Sequence, residues 1–230
     1  MGCEIIRMDA RTWRIEDGGV RFFLLTGTER ALLIDSGMQV RNARDIAASL
    51  TDLPIGLLNT HADRDHVGSN AQFDAFYMHP DEEPNYRREG RGGTLLPIRD
   101  GDTLNLGGRE LRVIHLPGHT PGSVAVLDVS RRVLISGDPI QEHGHIFMFG
   151  PQRNMTDYIR SLERLEGMQG DFDEVWPSHA DLPIAPALIR RLIDGAKDIL
   201  AGRVPGRPAE MHGTPVTAYD LGFDTLLCDP

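Results

Sequence analysis

Short apolar runs broken by Gly, Pro and Asp recur through most of this chain. Segments 20–26, 30–34, 55–59, 75–78, 109–116, 124–128 and 132–136 are rich in Val, Ile, Leu or Phe and end at turn-forming residues. Runs this short between turn formers predict buried strands rather than helices. Gly27-Thr28-Glu29, Gly107-Gly108 and Ser130-Arg131 are tight connections of hairpin type. The first half therefore reads as strand-rich, with antiparallel pairs.

Helical periodicity shows in three places. Segment 40–50 follows the Ser36-Gly37 turn. Segment 155–166 repeats apolar residues at Tyr158, Ile159, Leu162 and Leu165, with Asn154 placed to cap it and Gly167 to stop it. Segment 186–201 gathers Leu188, Ile189, Leu192, Ile193, Ala196, Ile199 and Leu200 on one face, and Gly202 ends it. Late strands at 174–176 and 216–221 complete the set. The polar stretch 80–102, rich in Gly, Pro and Arg, reads as an exposed loop. Strand hairpins alternating with amphipathic helices predict a layered α/β fold. No composition shift or repeat divides the 230 residues, so one domain over 1–230 is expected.

Composition removes several function classes. At 40% hydrophobic and 25% charged residues the chain is of globular type. Net charge is −10, Lys197 is the single lysine among 24 basic residues, and no basic block occurs. Nucleic acid and anionic membrane are thereby disfavoured as partners, and a small-molecule substrate is expected. No apolar run reaches the ~20 residues of a membrane span. The N-terminus lacks a signal-peptide core, so a cytoplasmic location is expected. Phosphate-cradling GxxxxGK[ST] and GxGxxG loops are missing. Cys3 and Cys228 lie at the two ends, form no CxxC pair and are expected to be free thiols.

The chemistry is concentrated in Thr60-His61-Ala62-Asp63-Arg64-Asp65-His66-Val67-Gly68, directly after the apolar run Ile55-Gly56-Leu57-Leu58. Two imidazoles and two carboxylates within six positions at the end of a buried strand repel one another unless a positive charge sits among them. A divalent cation is the simplest candidate. Three further segments end apolar runs with the same residue types: Pro117-Gly118-His119-Thr120-Pro121-Gly122-Ser123, Ser136-Gly137-Asp138 and Pro177-Ser178-His179-Ala180.

These four segments, in this order and with Leu32-Leu33-Ile34-Asp35-Ser36-Gly37 ahead of them, resemble the metallo-β-lactamase-fold hydrolase superfamily over most of the chain, from about Val20 to His179. The resemblance implies a four-layered αββα sandwich with two divalent cations at the sheet edge, most often zinc, with iron or manganese as alternatives. It places His61, Asp63 and His119 around the first cation. Asp65, His66 and His179 surround the second, Asp138 bridges both, and Asp65 is the residue given a catalytic role. A hydroxide held by the cations would then cleave an ester, thioester, lactone or similar small substrate. Asp35 is expected to support a ligand rather than to be one.

One position departs from the pattern, because the superfamily usually has histidine where this chain has Asp63. A carboxylate is shorter than an imidazole and adds a negative charge, making the site less positive and friendlier to oxygen-preferring metals. Two alternatives follow: a non-haem diiron oxidoreductase on the same scaffold, and a metal-binding protein whose catalysis Asp63 impairs. Only about 50 residues follow His179, too few for the C-terminal helical domain of glyoxalase II-type hydrolases. Outside the motif, a packed histidine is expected at His115 and a surface histidine at His212. Tyr86, Arg87, Arg88 and Arg91 read as a solvated run.

Overall fold

The computed structural model describes residues 2–230. Strands β1 (Glu4–Asp9), β2 (Thr12–Asp17), β3 (Val20–Thr26) and β4 (Ala31–Ile34) form an antiparallel meander. Helix α1 (Ala43–Ala48) then crosses to β5 (Ile55–Leu58), and from there the sheet grows in parallel. Strand β6 (Ala75–Met78), helix α2 (Glu83–Arg88) and strand β7 (Thr94–Pro97) complete a seven-stranded sheet in simple chain order.

A second sheet begins with β8 (Thr103–Asn105), β9 (Glu110–His115), β10 (Val124–Asp128) and β11 (Val133–Gly137), all antiparallel. Strand β12 (His145–Met148) leaves it, helix α3 (Met155–Glu166) packs on its outer face, and β13 (Glu174–Pro177) returns parallel to β11. After helix α4 (Leu188–Leu200), strands β14 (Arg207–Met211), β15 (Thr214–Asp220) and β16 (Thr225–Cys228) join β12 in a third, four-stranded sheet.

Side-chain alternation explains the layering. In β3, Phe23 and Leu25 face the second sheet, whereas Phe22 and Leu24 face α1 and α2. Strand β10 repeats the device: Val124 and Val126 point into the inter-sheet core, and Ala125 and Leu127 point at α3 and α4. Because successive strand residues face opposite ways, a run buried on both faces is largely apolar, as these are apart from Arg21, Thr26 and Asp128. The result is the four-layered αββα sandwich expected from the sequence. The two long helices bury Tyr158, Leu162, Leu165, Ile189, Leu192 and Ile193, the stripes read from the sequence.

Three expectations change. Segment 80–102 is not a loop: it carries a 3₁₀ turn, α2 and the edge strand β7. Tyr86 is buried there against Phe76, with ring centroids 5.1 Å apart, so the polar composition hid a core residue. The helix expected over 40–50 shrinks to α1, whose entry is set by Asp17 Oδ2 accepting from the amides of Met38, Gln39 and Val40. The three hairpins read from the sequence pair antiparallel as expected, and beyond β4 the first sheet continues in parallel. Strands β1, β2, β8, β12, β14 and β16 were not anticipated; β1 and β14 are largely exposed edges without a long apolar run. Both cysteines are free. No helix among the described residues is long and apolar enough to cross a membrane.

Candidate metal centre

The C-terminal ends of β5, β9, β11 and β13 lie along one edge of the sandwich. Just beyond them stand His61, His119, Asp138 and His179. Backbone bonds stitch the two sheets together at this edge: Val124 N donates to Thr60 O (2.8 Å), and Arg21 N donates to Ser178 O (2.8 Å). The loops that aim the side chains are therefore anchored on both sides.

All seven residues singled out in the sequence converge here, in two sets that share Asp138. In one set, His61 Nε2 and His119 Nε2 each stand 3.5 Å from Asp63 Oδ2, and 3.8 and 3.7 Å from Asp138 Oδ2. In the other, His66 Nε2 lies 3.6 Å from Asp65 Oδ2 and 3.1 Å from Asp138 Oδ1, and His179 Nε2 lies 3.1 and 3.4 Å from the same two atoms. Donors 2.0–2.1 Å from a tetrahedral cation stand about 3.3–3.4 Å apart. Asp65, His66, Asp138 and His179 gather with such spacing, as do His61, His119 and Asp138, while Asp63 lies near the two histidines but outside that mutual grouping.

The donor chemistry agrees. Nε2 of His61, His66 and His119 and Oδ1 of Asp138 are buried and have no hydrogen-bond partner among the described residues. Each such orphan costs roughly 1–3 kcal/mol, and four of them shared between two adjoining donor sets call for a ligand. The far nitrogens, by contrast, are all engaged. His66 Nδ1 donates to Asp35 Oδ2 (2.8 Å), His119 Nδ1 to Phe147 O (2.9 Å) and His179 Nδ1 to Gly19 O (2.7 Å). Thr60 Oγ1 donates to Asp35 and takes the Nδ1 proton of His61 at 3.0 Å. Acceptors behind the rings place the proton on Nδ1 and leave Nε2 to bind a cation. Asp35 therefore supports His66 and the Thr60 turn from behind, as expected; it sits in the left-handed region at φ 67°.

The two sets differ electrically. Burial disfavours a proton on His66, but Asp138, Asp65 and Asp35 outweigh it and raise its pKa well above the usual histidine value. Burial opposes His179 in the same way, yet Asp138 and Asp65 carry its pKa to about 10. His119 goes down instead, through burial and then the Arg153 guanidinium. Asp63 and Asp138 are held well below the usual carboxylate range: burial opposes this, and the histidines, with Arg153 beside Asp63, prevail.

Arg153 is the residue that sequence reading missed. Its guanidinium donates to Asp63 Oδ2, and Asn85 Nδ2 reaches Asp63 Oδ1 at 3.4 Å. No spacing rule links positions 63 and 153; the one available signal was an extra carboxylate in need of a cation. Glu82 was also missed. It is fully buried and accepts from Ala62 N and Gly122 N, both at 2.8 Å, tying the loop of His61 and Asp63 to the loop of His119.

A cleft of about 360 Å³ opens onto Asp63, Asp65, Asp138 and His179, with Val20, Met38, Phe147 and Met211 as its apolar wall. His212 is exposed, as expected, and in addition lines the mouth of this cleft edge-on to Phe147, because the β14–β15 turn reaches over it. Beside it a polar pocket of about 220 Å³ is walled by Arg64, Arg88, Arg91, Arg153 and Asn85. The arginine run read as solvated therefore contributes Arg88 and Arg91 to the neighbourhood of the centre. His79 and His115 stack 4.1 Å apart away from the centre, and His115 Nε2 donates to Pro121 O, as a packed histidine should.

With this geometry the family follows: the chain matches the metallo-β-lactamase superfamily model over residues 15–179, belongs to that superfamily and is a hydrolase of it. It is 29% identical to an acyl-coenzyme A thioesterase MBLAC2 of Bos taurus, over 73% of this chain and 75% of that protein. A hydroxyacylglutathione hydrolase of Gloeobacter violaceus is 34% identical over 60% of this chain and 55% of its own length. Among solved structures, a metallo-β-lactamase from Pontibacter korlensis superposes with a TM-score of 0.72 at 16% identity, covering 85% of this chain and 99% of that one, a likeness of fold alone.

Proposed function

We propose that this chain is a metal-dependent thioesterase that cleaves small acyl thioesters in the cleft beside Asp138. The observation that carries the reading is the pair of donor sets sharing that carboxylate, with every imidazole locked from behind. His61, Asp63 and His119 would hold one divalent cation, Asp65, His66 and His179 a second, and Asp138 both, with zinc fitting the mixed nitrogen and oxygen donors. When bound, such cations lower the pKa of water toward neutrality and polarise the acyl carbonyl.

The protein's own groups supply the rest. Phe147, Met38 and Met211 offer an apolar wall for the acyl chain. The arginines around Asp63 attract a thiol carrier bearing carboxylate or phosphate groups, which suits them better than a neutral alkyl thiol. Asp65, half-buried at the cleft floor and 3.1 Å from His179 Nε2, is placed to hold a proton taken from water and pass it to the departing thiolate. Thioester substrates are favoured over amides because the two named relatives above act on thioesters.

The test is turnover of a panel of acyl thioesters, oxygen esters and β-lactams by zinc-loaded and chelated protein, with elemental analysis of the preparation. Thioester hydrolysis that disappears with the metal and returns with zinc is expected. Full activity after chelation would overturn the reading, and iron with oxygen consumption would replace it by a redox function.

A further inference from the structure

We propose that Arg153 is a positioning residue of the centre: it holds the Asp63 carboxylate between His61 and His119 and offsets its charge, so that a cation there meets a fixed oxygen donor within a neutral ion pair. The inference rests on the ligand sets proposed above. Asp63 Oδ2 is the atom equidistant from His61 Nε2 and His119 Nε2, and the same atom receives the Arg153 guanidinium. A carboxylate oxygen has two lone pairs, enough to face a cation and an N–H donor together. Arg153 is largely buried, with 13% of its side chain exposed, and its Nε has no hydrogen-bond partner among the described residues. A guanidinium in that setting is retained for its charge and fixed fork rather than for solubility.

One short segment makes three contacts to the same half of the centre. Phe147 O accepts from His119 Nδ1, Asn154 N donates to Gly118 O at 2.8 Å, and Arg153 pairs with Asp63. Asn154 also caps α3 through Asp157 N, so the helix start sets where Arg153 stands. Gly118 permits this approach: it has φ 135°, and a Cβ there would collide with the Tyr158 backbone. Arg153 and the His119 loop are thus one unit. The extra negative charge that Asp63 brings is offset locally, and the other half of the centre has no such partner: Asp65 faces only His66 and His179 among its ion pairs.

Charge balance makes the inference testable by a double-mutant cycle. In Asp63→His the imidazole is neutral, and Arg153 is left buried and uncompensated beside two dications, which costs cation affinity. Removing Arg153 as well should return it. The experiment titrates metal-free protein with cobalt(II), reading the visible absorption and the two binding steps. For Arg153→Met the loss of the carboxylate's anchor outweighs the negative charge it regains, so the His61-side step should weaken about 10–100-fold, the usual range for loss of a ligand's outer partner, while the other moves less than about threefold. Arg153→Lys should recover part of the loss. Asp63→His alone should weaken the same step, and Asp63→His/Arg153→Met should bind at least about tenfold more tightly than Asp63→His.

The step that does not move reports on folding in every variant. Equal affinity in Asp63→His with and without Arg153, or an unchanged His61-side step in Arg153→Met, overturns the proposal while leaving the ligand sets standing. Wild-type protein that fails to take up two cobalt ions overturns both.

Discussion

The two halves of the centre share Asp138 and have the same donor count, yet they are built from different materials. Around His66 and His179 the field is negative: Asp65, Asp138 and Asp35 surround the imidazoles, and in cation-free protein both rings retain protons, His179 to about pH 10. Around His61 and His119 the field is more positive, because Arg153 stands beside Asp63 and the His119 pKa is lowered by burial and that guanidinium. The anchoring differs too. Side chains support His61 and His66 through Thr60 and Asp35, whereas backbone carbonyls support His119 and His179. A centre with two similar ligand lists is thus expected to bind its two cations unequally, more tightly on the His66 side.

The largest disturbance is at the shared group. Asp138→Asn should weaken both cobalt steps and lower kcat/KM on thioesters by at least about a hundredfold, because outer partners alone are worth about 10–100-fold. Loss of one step with the other intact would show that Asp138 is not shared. Next in size, Asp35→Asn removes the carboxylate behind His66 and loosens Thr60, so the His66-side step should weaken about 10–100-fold and the other less. If both fell equally, the halves would not be separable.

Glu82→Gln should act mainly on the opposite half. One of the two amides, of Ala62 or Gly122, would then face an NH2 group, at a cost of roughly 1–3 kcal/mol in unfolding free energy. Urea denaturation checks the stability, and a larger loss in the His61-side cobalt step than in its neighbour checks the location. A change confined to the His66 side would contradict the clamp.

The mildest probe is pH. The raised His66 and His179 values mean that their contribution to cation-free stability is fully present below about pH 6.5 and is lost as pH rises toward about 10. The depressed Asp63, Asp65 and Asp138 values act oppositely: their contribution is present above about pH 4 and is lost as pH falls. Cation-free protein should therefore unfold at its highest temperature between about pH 4 and 6.5 and decline above that range. Zinc-loaded protein should not show the alkaline decline, since cations replace the protons. Identical pH profiles with and without zinc would contradict this account.

Much of this was readable from residue order. The inter-sheet runs were apolar at most positions, which marks strands buried on both faces, and the helix stripes at Tyr158–Leu165 and Leu188–Ile199 had clear periodicity. The edge strands escaped because they bury little: β14 is Arg-Pro-Ala-Glu-Met and almost wholly exposed, and backbone pairing to β15 alone makes it a strand. Segment 80–102 misled for the opposite reason, since one aromatic, Tyr86, carries the burial of a polar helix.

What the sequence determined by itself was the set of groups that can face a cation. Imidazoles and carboxylates at strand ends have little reason to cluster in one chain otherwise, and their spacing is local. Only the tertiary structure decided how those groups are charged and held. Arg153, Glu82, Asn85 and His212 reach the centre or its cleft from positions 19 to 149 residues from Asp63, brought there by the start of α3, the segment after β6 and the third sheet. Electrostatic pairing depends on distance through space, and no pattern along the chain encodes it.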